Sequence, residues 1–233
     1  MSQMVAFVAG ATGFTGRAVV EALCATGATA IAHVRPDSAD LAVWRDRFAA
    51  MGAAVDTTAW DRSAMTDTLQ QHKVTHIFCL IGTTRERAKA AGESAAASYQ
   101  AVDLGLTQLL ADAAVASKCA PRFIYLSSAG ASATAMGAYL QARWSAEAAV
   151  HNSGLPFAIA RPSIISGDRQ QSRPAEKLAA ALVDQALGVV GFFGAKTLRD
   201  RYRSTDNKTL AQALLRVASA APSGITYESE QLR

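Results

Sequence analysis

Cysteine is scarce, with three residues among 233, at positions 24, 79 and 119. Thiols so far apart cannot build a disulfide framework or a thiolate metal site. None has the electropositive surroundings that would activate it for covalent catalysis, so all three read as ordinary buried thiols. His33, His72, His76 and His151 show no metal-ligand spacing, and no metal is expected. Net charge is only +4, and the basic side chains are scattered rather than clustered with aromatics, which make up 7% of the chain. A nucleic-acid surface is therefore not implied. The sequence pI of about 9.1 suits an anionic ligand, and a solvated surface accounts for it equally well. No apolar run reaches the length of a bilayer span, and the most apolar late stretch, residues 186–195, reads as a buried or substrate-facing segment. Met1, Ser2 and Gln3 lead straight into a strand-like run with no basic n-region, apolar h-region or cleavage site. A cytoplasmic location with no membrane partner is expected.

Half of the residues are apolar, enough for one α/β domain with a small extension. Strand-like runs recur at residues 4–9, 29–34, 53–60, 76–81, 122–126 and 157–160, with helical patterns between them. Such alternation implies a Rossmann-like, doubly wound parallel sheet, helices on both faces, and a ligand crevice beyond the carboxyl ends of the strands. Alanine-rich runs at 88–97 and 129–138 carry Tyr99, Val102 or Tyr139 at helical spacing and read as helices. Between 100 and 117, Val102, Leu106, Leu109, Leu110 and Ala113 form one stripe, to be packed on the sheet or on a partner subunit. After Arg161 the pattern weakens. A helix over 174–187, a polar strand near 198–203, a helix over 206–218 and a short strand at 225–227 are expected to make residues 162–233 a substrate-side extension of the single domain.

The most informative stretch follows the first strand directly: Gly10, Ala11, Thr12, Gly13, Phe14, Thr15 and Gly16. A tight turn at Gly10, close backbone approach at Gly13 and close helix contact at Gly16 would let a helix N-terminus face a pyrophosphate. The next strand-like run arrives at the distance a βαβ unit requires, so the ligand that geometry suits is a dinucleotide. About twenty residues after such a turn, an NAD site usually presents an acid to the ribose 2′-hydroxyl. Here that place holds Arg35, and a guanidinium pairs with a 2′-phosphate where an acid would repel it. NADP(H) is therefore preferred to NAD(H), with Arg17 as a second contact. The other reading is that Arg35 caps an exposed loop and Asp37 takes the ribose.

Three further features carry a family resemblance. The fourth strand ends in Gly82-Thr83-Thr84, the fifth in Ser127-Ser128, and Tyr139-Leu-Gln-Ala-Arg143 follows on a helix. With the glycine turn they resemble a short-chain dehydrogenase/reductase of the extended or atypical type, in which Ser, Tyr and the Lys of a YxxxK motif carry the chemistry. Residues 79–85, 139–143 and the Arg- and Pro-rich block 161–174 are more closely similar to the Tat-interacting-protein (oxidoreductase-like) subfamily. That resemblance implies the fold and NADP(H) binding. It further implies that Asp61 touches the adenine, that Ile81, Gly82 and Thr83 border the ribose, and that Pro162, Ser163 and Ile164 meet the carboxamide. An acid or glycine at a strand end is equally ordinary turn chemistry.

In such a site Tyr139 is the acid/base, and Ser128 or its neighbour Ser127 holds the substrate oxygen. A phenol with an ordinary pKa of about 10 needs help at neutral pH. A cation at roughly 5 Å, with an effective dielectric of about 20, is worth about 3 kcal/mol, or roughly two pH units. Tyr139 and Arg143 lie four residues apart on one helix face, and Arg stands where the family has Lys. The charge survives, while a planar fork replaces a flexible point charge. Two functions follow: an NADP(H)-dependent oxidoreductase acting on a small carbonyl or hydroxyl compound, or a catalytically weak NADP(H)-binding sensor or scaffold that acts through a protein partner. Arg169 and Arg173 either bind an anionic substrate group or pair with Asp168 and Glu176 on the surface. Helices near 100–117 and 139–150 would form a homodimer face, or simply pack on the sheet.

Overall fold

The computed structural model describes residues 3–83, 88–89, 92–163, 165–166 and 205–233. In chain order the elements are β1 (Val5–Ala9), α1 (Phe14–Ala25), β2 (Thr29–His33), α2 (Leu41–Ala50), β3 (Ala54–Asp56), α3 (Arg62–Gln71) and β4 (His76–Cys79). Next come α4 (Ala95–Ser98), a π-helical stretch (Tyr99–Gly105), α5 (Leu106–Ala116), β5 (Arg122–Leu126), α6 (Ala138–Asn152) and β6 (Phe157–Arg161). Then follow β7 (Ile165–Ser166), β8 (Thr205–Asp206), α7 (Asn207–Ser219), β9 (Ile225–Glu228) and a 3-10 turn (Ser229–Leu232).

Seven parallel strands form one sheet in the order β3-β2-β1-β4-β5-β6-β9, and β7 pairs with β8 apart from it. The chain steps outward from β1 to β3, returns to β4, and steps outward the other way. That reversal opens a crevice between the carboxyl ends of β1 and β4. Both faces of the sheet are covered: along β1, Ala6 and Val8 enter one core while Phe7 and Ala9 enter the other. Val19 and Leu23 of α1, Phe48 of α2, and Leu210 and Leu214 of α7 fill the first. Met65 and Leu69 of α3, Leu110 of α5, and Ala146 and Val150 of α6 fill the second.

Residues 206–218 and 225–227 do not extend over the crevice. Right-handed crossovers put α1 and α2 on one face and α3, α5 and α6 on the other, which would leave Phe78, Ile124, Leu126, Ala158 and Ala160 uncovered on the first. Helix α7 covers them, seated against α1, and β9 joins β6 as the edge strand. The expected helix over 174–187, the strand near 198–203 and the apolar run 186–195 lie outside the described residues.

Local expectations also change. The third strand stops at Asp56, because its carboxylate accepts the Thr58 amide and hydroxyl at 3.1 and 2.9 Å and folds an Asx turn. Residues 129–137 are not helical, since turns close from Ala131 N to Ser128 O and from Ala135 N to Ser132 O, both at 3.2 Å. The run 88–97 is broken at 92–94, where Ser94 caps α4 by accepting the Ala97 amide at 3.2 Å. Past α4, the expected stripe does pack on the sheet, with Leu110 and Ala113 fully buried and Val102, Leu106 and Leu109 partly so, and the π-helical stretch widens the buried face to take in Asp103, Thr107 and Ala114.

Helix α7 starts at a charged cap. Asp206 Oδ1 accepts the amides of Lys208 and Thr209 at 3.0 Å each, and its other oxygen meets the Thr209 hydroxyl. The Thr209 hydroxyl, then the two amides, hold the Asp206 carboxyl below the ordinary carboxylate value. A depressed folded-state value means that the cap's contribution is full above a pH of about 4 and lost as pH falls through the folded value. Asp206→Ala is expected to cost about 1 kcal/mol in urea unfolding at neutral pH. The gap from the parent should narrow towards a pH of about 3, and a gap independent of pH would show that the carboxylate is not the cap.

Candidate functional site

The crevice is lined first by the glycine turn. Gly10 has φ +84°, and a Cβ there would stand 2.6 Å from the Leu80 carbonyl oxygen, so the turn lies directly against the end of β4. A Cβ on Gly16 would overlap the Gly10 carbonyl, which is how α1 comes so close to the turn. The Gly13 amide closes the turn onto Gly10 O at 3.0 Å, and Gly13 is the N-cap of α1 with no side chain bonded over the helix end. Backbone donors, the positive end of a helix dipole and the lack of an obstructing side chain fit the diphosphate of a dinucleotide.

On the β2 side, Arg35 is 63% exposed and pairs with Asp37 at 3.5 Å. The two candidate ribose readers thus touch each other, in an exposed pair worth under about 1 kcal/mol that either can leave for a ligand. Arg17 on α1 and Arg47 on α2 stand over the same Trp44 ring, 5.8 and 5.7 Å from its centroid. Among the described residues no carboxylate pairs with either. Burial and then the Arg47 charge push the Arg17 guanidinium down from its ordinary value. Asp61 does not end a strand: it lies beyond β3 and caps α3, its Oδ1 accepting the Ala64 amide at 2.9 Å. Behind these loops His33, 3% exposed, meets Trp60 edge-on at 4.8 Å and Thr58 O at 2.8 Å, and burial pushes its imidazole down.

On the β4–β5 side, α6 places Tyr139, Arg143 and Glu147 one turn apart along one face. Arg143 does not point into the crevice as a YxxxK lysine would. It is 6% exposed; its Nη2 pairs with Asp103 Oδ1 at 2.9 Å. Its Nη1 donates to Ile81 O at 3.0 Å, Leu126 O at 2.9 Å and the Tyr125 hydroxyl at 3.2 Å. Burial alone would lower the guanidinium, and Tyr125, Tyr139 and Asp103 outweigh it, so that it stays protonated. Asp103 is fully buried in the π-helical stretch and accepts the Thr83 amide at 3.1 Å. Burial pushes its carboxyl up, against the pull of Arg143 and that amide.

The ring of Tyr139 is half-buried, 5.3 Å from the Arg143 guanidinium and edge-on to Tyr99 at 5.3 Å. The two serines separate. Ser127 is 4% exposed and donates to Glu147 Oε1 at 2.5 Å, whereas the half-buried Ser128 hydroxyl makes, among the described residues, one long contact, 3.4 Å, to Ala129 O. Glu147 in turn takes a two-pronged ion pair from Arg161, at 2.9 and 2.6 Å, and Arg161 also reaches Glu228 at 3.1 Å. Pro162 O accepts the Ala129 amide at 2.9 Å, and the Ser163 amide donates to Ser229 Oγ at 3.3 Å, which ties the β6 loop to the serine loop. Ile164, Asp168, Arg169, Arg173 and Glu176 lie outside the described residues. Burial pushes the Cys79 thiol up to about 11, so it is no nucleophile. Asp103, Glu147 and Tyr99 are the residues that the sequence reading missed. The signal for Glu147 was available, as an acid one turn past a Tyr/Arg pair and facing a strand that ends in Arg161.

Residues 10–184 match the family described as NAD(P)H-binding. Protein HTATIP2 of Rattus norvegicus is 37% identical over 103 residues, a stretch making up 44% of this chain and 40% of that protein. The match thus spans less than half of the curated relative. Among solved structures, the UDP-Glc/GlcNAc 4-epimerase of Campylobacter jejuni superposes with a TM-score of 0.70 at 11% identity, covering 98% of this chain and 81% of that one. UDP-glucose 4-epimerase from Brucella ovis, in complex with NAD, gives 0.67 at 14% identity, covering 98% and 80%. At these identities the structural likeness speaks for the fold, and the family match over most of the length speaks for descent. The chain belongs to the NAD(P)H-binding family, and it resembles an atypical short-chain dehydrogenase/reductase of the HTATIP2 subfamily.

Proposed function

We propose that this chain is an NADP(H)-dependent oxidoreductase that interconverts a small carbonyl compound and its alcohol. The observation that carries the reading is the Tyr139 hydroxyl. It sits on a half-buried ring fixed between Tyr99 and Arg143, and among the described residues it has no hydrogen-bond partner. A free phenol at the end of a strand crevice is placed to serve a ligand rather than the fold.

When bound, the nicotinamide supplies or accepts the hydride. The chain's own part is the proton: Tyr139 gives its phenolic proton to the substrate oxygen in reduction and takes it back in oxidation. Ser128 orients that oxygen, being the serine whose hydroxyl has no side-chain partner among the described residues, while Ser127 holds Glu147. The turn from Gly10 to Gly16, including Ala11, Thr12, Phe14 and Thr15, takes the diphosphate. Arg35, with Arg17, takes a 2′-phosphate, and the absence of a carboxylate against Arg17 or Arg47 among the described residues supports NADP(H) over NAD(H). The Asp61 oxygen outside the α3 cap is left for the adenine. Ile81, Gly82 and Thr83 border the ribose, and Pro162, Ser163 and Ile164 the carboxamide.

A second reading, a sensor or scaffold that binds NADP(H) without turnover, is favoured by one observation. The Arg143 guanidinium is spent on buried oxygens and cannot also hold ribose hydroxyls.

Deuterium at C4 of NADPH is expected to appear in the alcohol from at least one member of a carbonyl panel, and to fall at least about 100-fold with Tyr139→Phe. Tight binding with no label in any product would select the second reading. Ser128→Ala should lower transfer without moving the melting temperature. Ser127→Ala should lower the melting temperature instead, because it removes one of the two donors to the buried Glu147 Oε1, the other being Arg161 Nε. In calorimetry Arg35→Asp should weaken NADPH far more than NADH, and equal losses would remove Arg35 from the site.

A further inference from the structure

Resting on the oxidoreductase reading, one further residue can be assigned. We propose that Asp103 is a positioning residue matched to Arg143: it turns the guanidinium inward and cancels its charge, so that Tyr139 stands over a neutral ion pair rather than over a free cation. The geometry carries this. Asp103 is fully buried and meets Arg143 Nη2 at 2.9 Å, its second oxygen is fixed by the Thr83 amide at 3.1 Å, and the guanidinium it holds lies 5.3 Å from the Tyr139 ring. A Cβ on Gly82 would run into Arg143 Nη2, so the loop after β4 is shaped around this inward position.

The other groups facing the pair leave its charge balance alone. Cys79 of β4 and Tyr125 of β5 are pushed up by burial and stay neutral near pH 7. Tyr99, at the head of the π-helical stretch, is an uncharged ring against Tyr139. One turn further along α6, Glu147 is compensated by Arg161 of β6. A lone guanidinium at this separation would act on the ring with the field of a full charge, whereas an ion pair acts as a dipole whose field falls off faster. The carboxylate thus removes much of the electrostatic help that a YxxxK-type cation gives.

The test is a charge cycle on the chain without cofactor or substrate, read by 3-fluorotyrosine placed at position 139, with the fluorine resonance followed against pH. Asp103→Asn should move the titration midpoint down by about one pH unit or more, and Arg143→Gln should move it up by a similar amount. The double variant Asp103→Asn/Arg143→Gln should return to within about half a unit of the parent. A merely structural role would not produce opposite signs that cancel. If Arg143 acts as a lone cation, Asp103→Asn will leave the midpoint in place and both variants lacking Arg143 will raise it together; that pattern overturns the proposal. Where a single variant leaves a buried charge uncompensated and fails to fold, the double variant decides alone. A midpoint near the parent's supports the matched pair, and a rise of more than about one unit overturns it. Because the readout needs no turnover, absence of deuterium transfer would sink the enzyme reading without touching this one.

Discussion

The guanidinium of Arg143 ties the ends of two strands to the helix that faces them. Ile81 lies two residues past β4 and Leu126 closes β5, and both carbonyls accept from a side chain of the helix that faces them. Left unpaired, each would cost about 1–3 kcal/mol. Arg143 donates to both, from the second turn of α6, and so sets the height and rotation of that helix over the crevice. Tyr139 inherits its place from this bond set. The Gly82 backbone and the Thr83 amide are drawn into the same arrangement through the contact with Nη2 and through Asp103.

Stability alone does not explain a buried Arg–Asp pair. Desolvating two charges costs as much as or more than their attraction returns, and apolar residues of equal volume would often serve as well. What an ion pair provides and a leucine pair does not is direction. The same helix carries a second set one turn on, in which Glu147 is held by Arg161 and by Ser127. Arg161 then reaches β9 through Glu228, so α6, the serine loop and the edge strand share a single polar network. Two such sets in line leave α6 little freedom to slide or turn. Tyr139, on the same helix, is therefore held by a rigid support.

The parts of this architecture that repeat at short range were readable in the amino-acid order. The glycine turn declared itself because Gly10 and Gly16 are forced by backbone contacts with Leu80 and with the turn itself. The alternating strands did so because both faces of the sheet are apolar. What failed depends on distant partners. Asp103 gave no signal, since the π-helical stretch widens the buried stripe by one residue and brings a carboxylate in beside Val102. The placement of α7 failed because it follows from an uncovered sheet face, not from any feature of residues 207–219. Ser127 and Ser128 are adjacent and chemically alike, and only the position of Glu147 tells them apart.

The exchange of Lys for Arg at position 143 can be understood on these terms. An ammonium is a compact charge with three donors on a flexible stem, able to reach past the phenol to a ribose. A guanidinium is longer and planar, and its fork is satisfied best by acceptors in a plane. Ile81 O, Leu126 O and Asp103 meet its two terminal nitrogens at 2.9 to 3.0 Å. Once so engaged, the side chain gains nothing by turning outward, because leaving would strand a buried carboxylate and two buried carbonyls together. The substitution thus changes the residue's task from ligand contact to support.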